Sequence, residues 1–405
     1  MPHRIGNVNN VEKFDPQFFD ISTIEAHVID PMGRMLLEHT YEAIIDAGIN
    51  PKELQGTRTG VFTGICADVQ SHYIFFKSEF NGMPAWCNRS FVANRISYWL
   101  GTIGPSYNID SACSSSLFAI TEAYKLIRSG ECDAAIVATA NLCLHPLVNF
   151  GFYRLGVLSS DGYCRPFDEE GTGYMRSDTL TVVYLQKAKD ARRVYATFVH
   201  GKMNCDGFKE EGITFPSFEM QKTLLEEFYE ECGVSPNELS YVEAHATGTI
   251  AGDPAEVLSI DQTLCAKRRT PLLTGSVKSN LGHSEPASGL CQIAKVILAM
   301  ETSIITPTIH FKRPRKELTA IIEGRMKIVT EPTEWEGGYI GINSFGFGGS
   351  NCHILLKSNP KQKINNGAPS DDLPRLIAVS GRTEEAVKTI FNDVSNHRSS
   401  LFYLL

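Results

Sequence analysis

The 405-residue chain is predicted to fold as an α/β protein built from two duplicated halves. Three observations lead to this reading. Runs with strand character alternate with runs whose apolar residues recur at helical spacing. The order strand–helix–strand–helix, finishing in paired strands, occurs twice. Corners of small residues stand where strands give way to helices, where open α/β sheets gather their functional groups.

The elements follow in order. Asp30–Gly48 reads as a helix, with Asp30 as its cap, Pro31 in its first turn and Gly48 ending it before Asn50-Pro51. Thr59–Ile65 is the first strand candidate, and Phe91–Leu100 reads as a helix. Ser106–Asp110 is a short strand running into Ser111-Ala112-Cys113-Ser114-Ser115-Ser116. Leu117, Ile120, Tyr124 and Ile127 then recur at helical spacing until Gly130. Ala134–Ala140 is an apolar strand, and Thr179–Gln186 and Tyr195–Lys202 are expected to pair as a ladder.

The second half repeats the pattern. Ser217–Cys232 is a helix stopping at Gly233, and Ser240–His245 is a strand. Asp253–Leu264 is a helix with Asp253 at its start and Pro254 at its first position. Pro271–Lys278 reads as a strand and Pro286–Met300 as a helix. Strands Tyr339–Ser344 and Asn351–Lys357 flank Phe345-Gly346-Phe347-Gly348-Gly349-Ser350. Ser358–Asp372, rich in Lys, Asn, Pro and Gly, reads as a linker. A strand-like run Leu373–Ser380 and an amphipathic helix Glu384–His397 follow.

Composition narrows the function. Hydrophobic residues make up 42% and charged residues 21%, enough apolar side chains for a sizeable core. Basic residues number 38 against 46 acidic ones, so the net charge is −8 and no nucleic-acid partner is expected. Apolar stretches such as Ile293–Met300 fall far short of the ~18 residues of a membrane span, and Met1–Phe19 has no apolar signal core. Eleven cysteines are scattered from Cys66 to Cys352 without a C-x-x-C pair, so zinc or thioredoxin chemistry has no local support. Such cysteines suit a reducing, cytoplasmic compartment.

Cys113 stands at a strand-to-helix corner, where small neighbours allow a tight turn. A helix N-terminus is expected to lower a thiol's pKa and favour the thiolate. Taken alone, the corner suits a nucleophile or a buried core cysteine. His245 ends one strand, and His283 lies in Lys278-Ser279-Asn280-Leu281-Gly282-His283 between a strand and a helix. Either histidine alone fits a structural role as well as a catalytic one. The Gly346–Gly349 loop suits an oxyanion hole or a simple hairpin turn.

These motifs together resemble the β-ketoacyl synthase family, most closely the ketosynthase region of animal-type, arthropod-like multifunctional fatty acid synthases. The resemblance is carried by Asp110–Ser116, by Glu243–Thr249 with Gly252-Asp253-Pro254, by Lys278–His283 and by Asn343–Asn351. Asn204–Glu210 and Arg165–Asp168 support it, and it extends from about Gly6 to His397. It implies a thiolase-like fold, a five-layer α-β-α-β-α sandwich. It divides the chain into an N-terminal half (1–194), a C-terminal half (195–357) and the start of a connecting region (358–405).

It also implies roles. Cys113 accepts an acyl chain from a phosphopantetheine thioester. His245 and His283 promote decarboxylation of malonyl thioester and stabilise the enolate. Lys278 organises the second histidine and tunes local charge. The backbone N–H groups of Cys113 and Phe347 form the oxyanion hole, and Thr247 and Thr249 hold the pantetheine arm. No cofactor is bound directly and no metal is needed. Substrates arrive on acyl carrier protein or CoA, and a homodimer is implied.

A non-decarboxylating thiolase would need a second cysteine in a Cys-x-Gly-x-Gly setting, which is not present. Two departures bear on the reading. Ala246 replaces the family's preferred glycine. The family's opening strand, expected to be central in the first half's sheet, should precede the start of this chain. The alternative is therefore a catalytically inactive or truncated ketosynthase with a structural or dimerisation role. Met175, Phe152 and Tyr153 suit the lining of an acyl tunnel or ordinary core packing.

Overall fold

A computed structural model describes residues 2–66, 88–359, 379–381 and 383–396. The chain forms two compact units, Met1–Asn359 and Pro360–Leu405. In the first, helices α1 (Thr23–Val28) and α2 (Pro31–Asp46) precede strand β1 (Thr59–Gly64). Asp30 caps α2 as expected, accepting from the Met32 N–H at 2.8 Å. Helix α3 (Arg89–Leu100), β2 (Ser106–Ile109), α4 (Ser115–Ser129), β3 (Ala134–Asn141), α5 (Pro146–Arg154) and β4 (Thr179–Gln186) complete the first half. The second half runs β5 (Ala196–Cys205), α6 (Phe218–Cys232), β6 (Leu239–Glu243), α7 (Gly252–Ile260), β7 (Leu272–Gly275), α8 (Lys278–Leu281) and α9 (Ser288–Thr302). It ends with β8 (Ile304–Ile305), α10 (Thr319–Ile322), β9 (Met326–Ile328), β10 (Thr333–Glu334), β11 (Tyr339–Phe345) and β12 (Ser350–Ser358). The second unit's described helix is α11 (Glu384–Asn396).

The duplication is visible in the sheets. The first has strand order β2-β1-β3-β4 and the second β5-β12-β11-β6-β7-β9. Strands β2, β1, β3 and β4 therefore correspond to β7, β6, β11 and β12. The directions agree as well. β1 runs parallel to β2 and β3, as β6 does to β7 and β11, while β4 and β12 run antiparallel to their neighbours.

Side-chain alternation makes five layers. Val61 and Ile136 face outward onto α2 and α3, joining Leu36, Leu37 and Ile96 in one core. Their neighbours Phe62 and Val137 face inward, where they meet Leu117 of α4, Leu290 of α9 and Ile342 and Ile354 of the second sheet. On that sheet's far side, Val242 and Leu355 pack against Phe228 of α6 and Val257 of α7. The order is helices, sheet, the α4/α9 layer, sheet, helices, as expected for the thiolase-like fold.

Several sequence expectations need correction. β4 and β5 do not form a ladder: β4 pairs with β3 and β5 with β12. Val183 and Leu185 of β4, and Phe198 and Met203 of β5, all face the central core from opposite sheets, which a direct ladder would prevent. The opening strand is expected at the centre of the first sheet. Its counterpart in the second half is β5, an edge strand, and the matching place in the first sheet is the outer side of β4. β7 stops at Gly275, not Lys278. There the Glu243 carboxylate accepts from Val277 N–H (2.6 Å) and Ser276 Oγ donates to Ala246 O (2.9 Å), drawing the chain out of the sheet. α7 begins at Gly252, and Asp253 faces a neighbouring loop instead of capping its own helix. Leu373–Ser380 and the Ser358–Asp372 linker lie largely outside the described residues.

The central helices touch at Gly289, where an added Cβ would sit 2.6 Å from Leu117 Cγ. Gly289→Ala is expected to cost about 1–3 kcal/mol through overpacking, read as a lower denaturant midpoint. An unchanged midpoint would mean that the layer has slack.

Candidate active site

Each site residue lies beyond the carboxyl end of a strand. Cys113 follows β2, His245 follows β6, and Lys278 and His283 follow β7. The Cys113 corner is strained, since Ala112 holds φ 54°, a left-handed value that L residues avoid. Hydrogen bonds maintain it: Ser115 Oγ donates to Ala112 O (2.6 Å) and accepts from Ser111 N–H (2.9 Å). Ser344 Oγ and Ser288 Oγ, both from the second half, donate to Cys113 O at 2.9 and 3.1 Å.

The glycine-rich segment is the β11–β12 hairpin, closed by Gly346 N–H to Ser350 O at 2.8 Å. It also lies on the Cys113 corner, because a Cβ at Gly346 would collide with Ser111 O. The backbone N–H groups of Phe347 and Cys113 both act on the Cys113 thiol. The Phe347 ring is 48% exposed, so it is the backbone that serves this point.

The two histidines come together. Their ring centroids lie 5.3 Å apart with planes at 86°. The Tyr174 ring packs edge-on against His283 at 4.9 Å. His283 and Lys278 are each 1% exposed. Among the described residues, His245 Nδ1, His283 Nδ1 and Lys278 Nζ have no hydrogen-bond partner. Thr247 is buried, and its Oγ1 donates to Thr249 Oγ1 at 3.2 Å beside His245.

The charges fix protonation states. Burial first, and then the Lys278 charge, hold both histidines well below the ordinary imidazole pKa. Lys278 is itself lowered by burial, while Glu243 and Glu256 oppose that shift. The expected low thiol pKa is not found. Burial pushes Cys113 up to about 12, with Glu285 adding to the rise and Lys278 and the two backbone N–H groups pulling the other way. Desolvation outweighs the helix end here, so the site holds a thiol beside neutral imidazoles.

A cavity of about 370 Å³ opens at Cys113. Ile65, Leu142, Leu147, Val148 and Phe152 give it apolar walls. Of the three tunnel candidates only Phe152 lines it; Tyr153 is 46% exposed and Met175 packs against Leu158, Cys164 and Tyr174. The charged wall is self-satisfied. Arg176 makes a two-pronged pair with Glu285 at 2.6 and 2.8 Å, and Tyr174 OH donates to Glu285 at 3.3 Å.

Two carboxylates of the site escape a reading of the sequence. Asp253 accepts from Thr247 and Gly248 N–H at 3.1 Å each and from Phe167 N–H at 2.8 Å. Glu256 accepts from His245 N–H (2.8 Å) and Ala246 N–H (2.7 Å). Both lie in the first turns of α7, three residues apart on one face, and that spacing is the signal available. Ala246 is not among the residues with positive φ, so its methyl group brings no backbone strain where the family prefers glycine.

Since His283 is held neutral, acid should weaken the fold. Below the unfolded pKa near 6.5 the unfolded chain binds a proton there and the native chain does not, so stability falls as pH falls. The stability difference between wild type and His283→Asn should shrink by up to about 1.4 kcal/mol per pH unit between roughly pH 6.5 and 5.5. Parallel curves from denaturant titrations would show that His283 titrates normally in the fold.

Known proteins share this sequence and fold. Residues 2–191 match the family described as β-ketoacyl synthase, N-terminal domain, residues 195–312 its C-terminal domain, and residues 314–404 the ketoacyl-synthetase C-terminal extension. A fatty acid synthase of the goose Anser anser anser is 48% identical over 303 residues, covering 74% of this chain and 86% of that one. A phenolphthiocerol/phthiocerol polyketide synthase of Mycobacterium tuberculosis is 38% identical over 93% of this chain, which spans 21% of its length. The module 6 ketosynthase of the bacillaene synthase from Bacillus subtilis 168 superposes with a TM-score of 0.87 at 30% identity, over 98% of this chain and 68% of that one. The fold, the motifs and the relatives agree that this chain belongs to the β-ketoacyl synthase family.

Proposed function

We propose that this chain is a decarboxylating β-ketoacyl synthase acting in fatty acid or polyketide chain elongation. The observation that carries the reading is the packing of the His245 and His283 rings together beside Tyr174, which lines the same apolar cavity as Cys113, with the buried Lys278 charge acting on both imidazoles and on the thiol. The acyl chain arrives as a thioester on the phosphopantetheine of an acyl carrier protein or on CoA. Cys113 gives up its proton and attacks the acyl carbon, and the pantetheine thiol leaves. A neutral imidazole is available to receive the thiol proton, and the Lys278 charge stabilises the thiolate as it forms.

Malonyl thioester then replaces the departed carrier. Loss of carbon dioxide leaves an enolate, whose oxygen takes hydrogen bonds from the imidazoles of His245 and His283. Burial, and after it the Lys278 charge, keeps those imidazoles neutral, so each can donate without becoming a strong acid. The enolate carbon attacks the Cys113 thioester. The resulting oxyanion sits against the N–H groups of Cys113 and Phe347, and collapse returns the Cys113 thiolate, which takes up one proton. Thr247 and Thr249 are assigned to the pantetheine arm by their place beside His245. No step calls for a metal or redox cofactor.

The finer assignments rest on the same basis. Residues 1–194 and 195–357 are proposed as the two ketosynthase halves and 358–405 as the start of a connecting region. The ten described cysteines are all free, which supports a reducing, cytoplasmic setting. Among the described residues no helix is long and apolar enough to cross a membrane. A homodimer is proposed through the outer edge of β2, the end strand of its sheet among the described residues, where Tyr107 (37%), Ile103 (70%) and Tyr98 (88%) are exposed.

Incubated with an acyl-pantetheine thioester, the protein should gain the acyl mass at Cys113 and then release carbon dioxide from malonyl thioester. Cys113→Ala should gain no mass and form no condensation product. His245→Ala or His283→Ala should keep the acyl adduct while condensation falls by about 100-fold or more. Condensation by Cys113→Ala, or a wild type that does neither step, would overturn the proposal. Separately, Ile103→Asp should convert the dimer to a monomer in light scattering; a monomeric wild type would refute the placement.

A further inference from the structure

His353 is a fully buried histidine on β12, outside the cavity, and the mechanism makes no use of it. The fold nonetheless shapes a place for it. The Phe228 ring meets it edge-on at 4.4 Å, with planes at 85°. Its cross-strand partner on β11 is Asn343, and nearby Gly341 has no room for a side chain, since a Cβ there would lie 2.8 Å from His353 Cε1. Burial drives its pKa down to about 3, so the ring is neutral.

A chain of hydrogen bonds runs through it. Tyr229 OH lies 2.9 Å from His353 Nε2, and His353 Nδ1 lies 2.6 Å from Asn343 Oδ1. Asn343 Nδ2 donates to Glu256 Oε1 at 2.9 Å. Glu256 accepts from the backbone N–H of His245 and of Ala246. Burial raises the Glu256 pKa to about 7, and above that pH, where it is ionised and only accepts, chemistry fixes the direction of every link. Glu256 already takes two backbone donors, so the Asn343 amide must offer it the NH₂ group and turn its oxygen to His353. His353 must then carry its proton on Nδ1, which leaves Nε2 bare to accept from Tyr229. Reversing the tautomer would set a lone pair against the Asn343 oxygen, or flip the amide and set its oxygen against Glu256.

We propose that His353 is a positioning residue for His245: as its Nδ1–H tautomer it locks the Asn343 amide, and through Glu256 holds the backbone from which His245 projects. This rests on the catalytic reading of His245 above. The group that moves when the lock is lost is the enolate donor, not the nucleophile, because the Cys113 corner is held separately by Ser344, Ser288 and Ser115.

The test separates the half-reactions. An asparagine amide reaches about where Nδ1 lies and a glutamine amide about where Nε2 lies. His353→Gln should therefore lower kcat for decarboxylative condensation by about 10- to 100-fold while the rate of Cys113 acylation stays within about twofold. His353→Asn should restore condensation to within about threefold of wild type. Equal loss of both half-reactions, no loss in either, or no difference between the Asn and Gln variants would overturn the proposal. If wild type fails to acylate at all, it is the ketosynthase reading that falls. A measurement on wild type needs no variant to fold. Nitrogen-15 spectra of labelled protein at about pH 8, where Glu256 is ionised, should show a histidine with protonated Nδ1 and bare Nε2, and its signals should be absent from His353→Asn. A His353 found in the Nε2–H form overturns the lock.

Discussion

The site depends on where two helices begin. α4 comes from the first half and α9 from the second, and they form the middle layer between both sheets. Their N-terminal ends lie together: Ser288 Oγ donates to Cys113 O, and Gly289 N–H donates to Ser116 Oγ at 2.8 Å. Cys113 precedes one helix and His283 the other, so this contact helps bring the proposed nucleophile and donor together. Leu117, Leu290 and Ile293, at most 3% exposed, hold the layer shut. Each contributes roughly 1.5–3 kcal/mol by burial, and a shift of either helix would forfeit that packing together with the site.

Charge then has to be carried into this dry layer. Lys278 is buried without a hydrogen-bond partner among the described residues, an arrangement tolerated only with counter-charge nearby. Glu243 and Glu256 supply it. Glu243 is itself balanced by Lys295 Nζ at 2.7 Å and by Tyr241 OH at 2.7 Å. Its second oxygen takes the Val277 N–H, one residue before Lys278. Glu243 thus fixes the backbone beside the lysine and, with Glu256, supports its charge. The lysine in turn adds to the burial that keeps two imidazoles neutral. The apolar wall that suits an acyl chain is the same desolvation that raises the thiol, so reactivity must await a substrate and a proton acceptor.

Helices and most strands are legible in the sequence because their signals are local: the Asp30 cap, the glycines at 48, 130 and 233, and the apolar spacing after Leu117. The proposed catalytic set is legible because each member falls at a strand end beside small residues. Sheet partnership is not, since β4 and β5 are neighbours in sequence but face the core from opposite sides. Asp253 has the look of a helix cap, the commonest duty of an aspartate in that place; only the fold brings the Thr247–Gly248 loop over it. Cys113's thiol pKa departs from expectation because a helix end is visible in sequence and the depth of burial is not. Tyr229, His353, Asn343 and Glu256 lie on four elements, and nothing short of the assembled sheet places them in a line.

The correspondence of the two sheets bears on how one site arises from two copies. β2 matches β7 and α4 matches α9, so the Cys113 corner and the Lys278–His283 corner occupy equivalent loops, each leading into its half's central helix. On the proposed reading, one copy supplies the nucleophile and the other the charge and the donor. The remaining pair is β1 and β6. His245 stands two residues beyond the end of β6, and the residue two beyond the end of β1 is Cys66, which lines the acyl cavity. Equivalent backbone thus delivers an imidazole in one half and a thiol lining the acyl cavity in the other. On the proposed reading the second half's loop serves the chemistry and the first half's loop serves the space, a division that two copies of one loop allow because each is free to carry a different side chain.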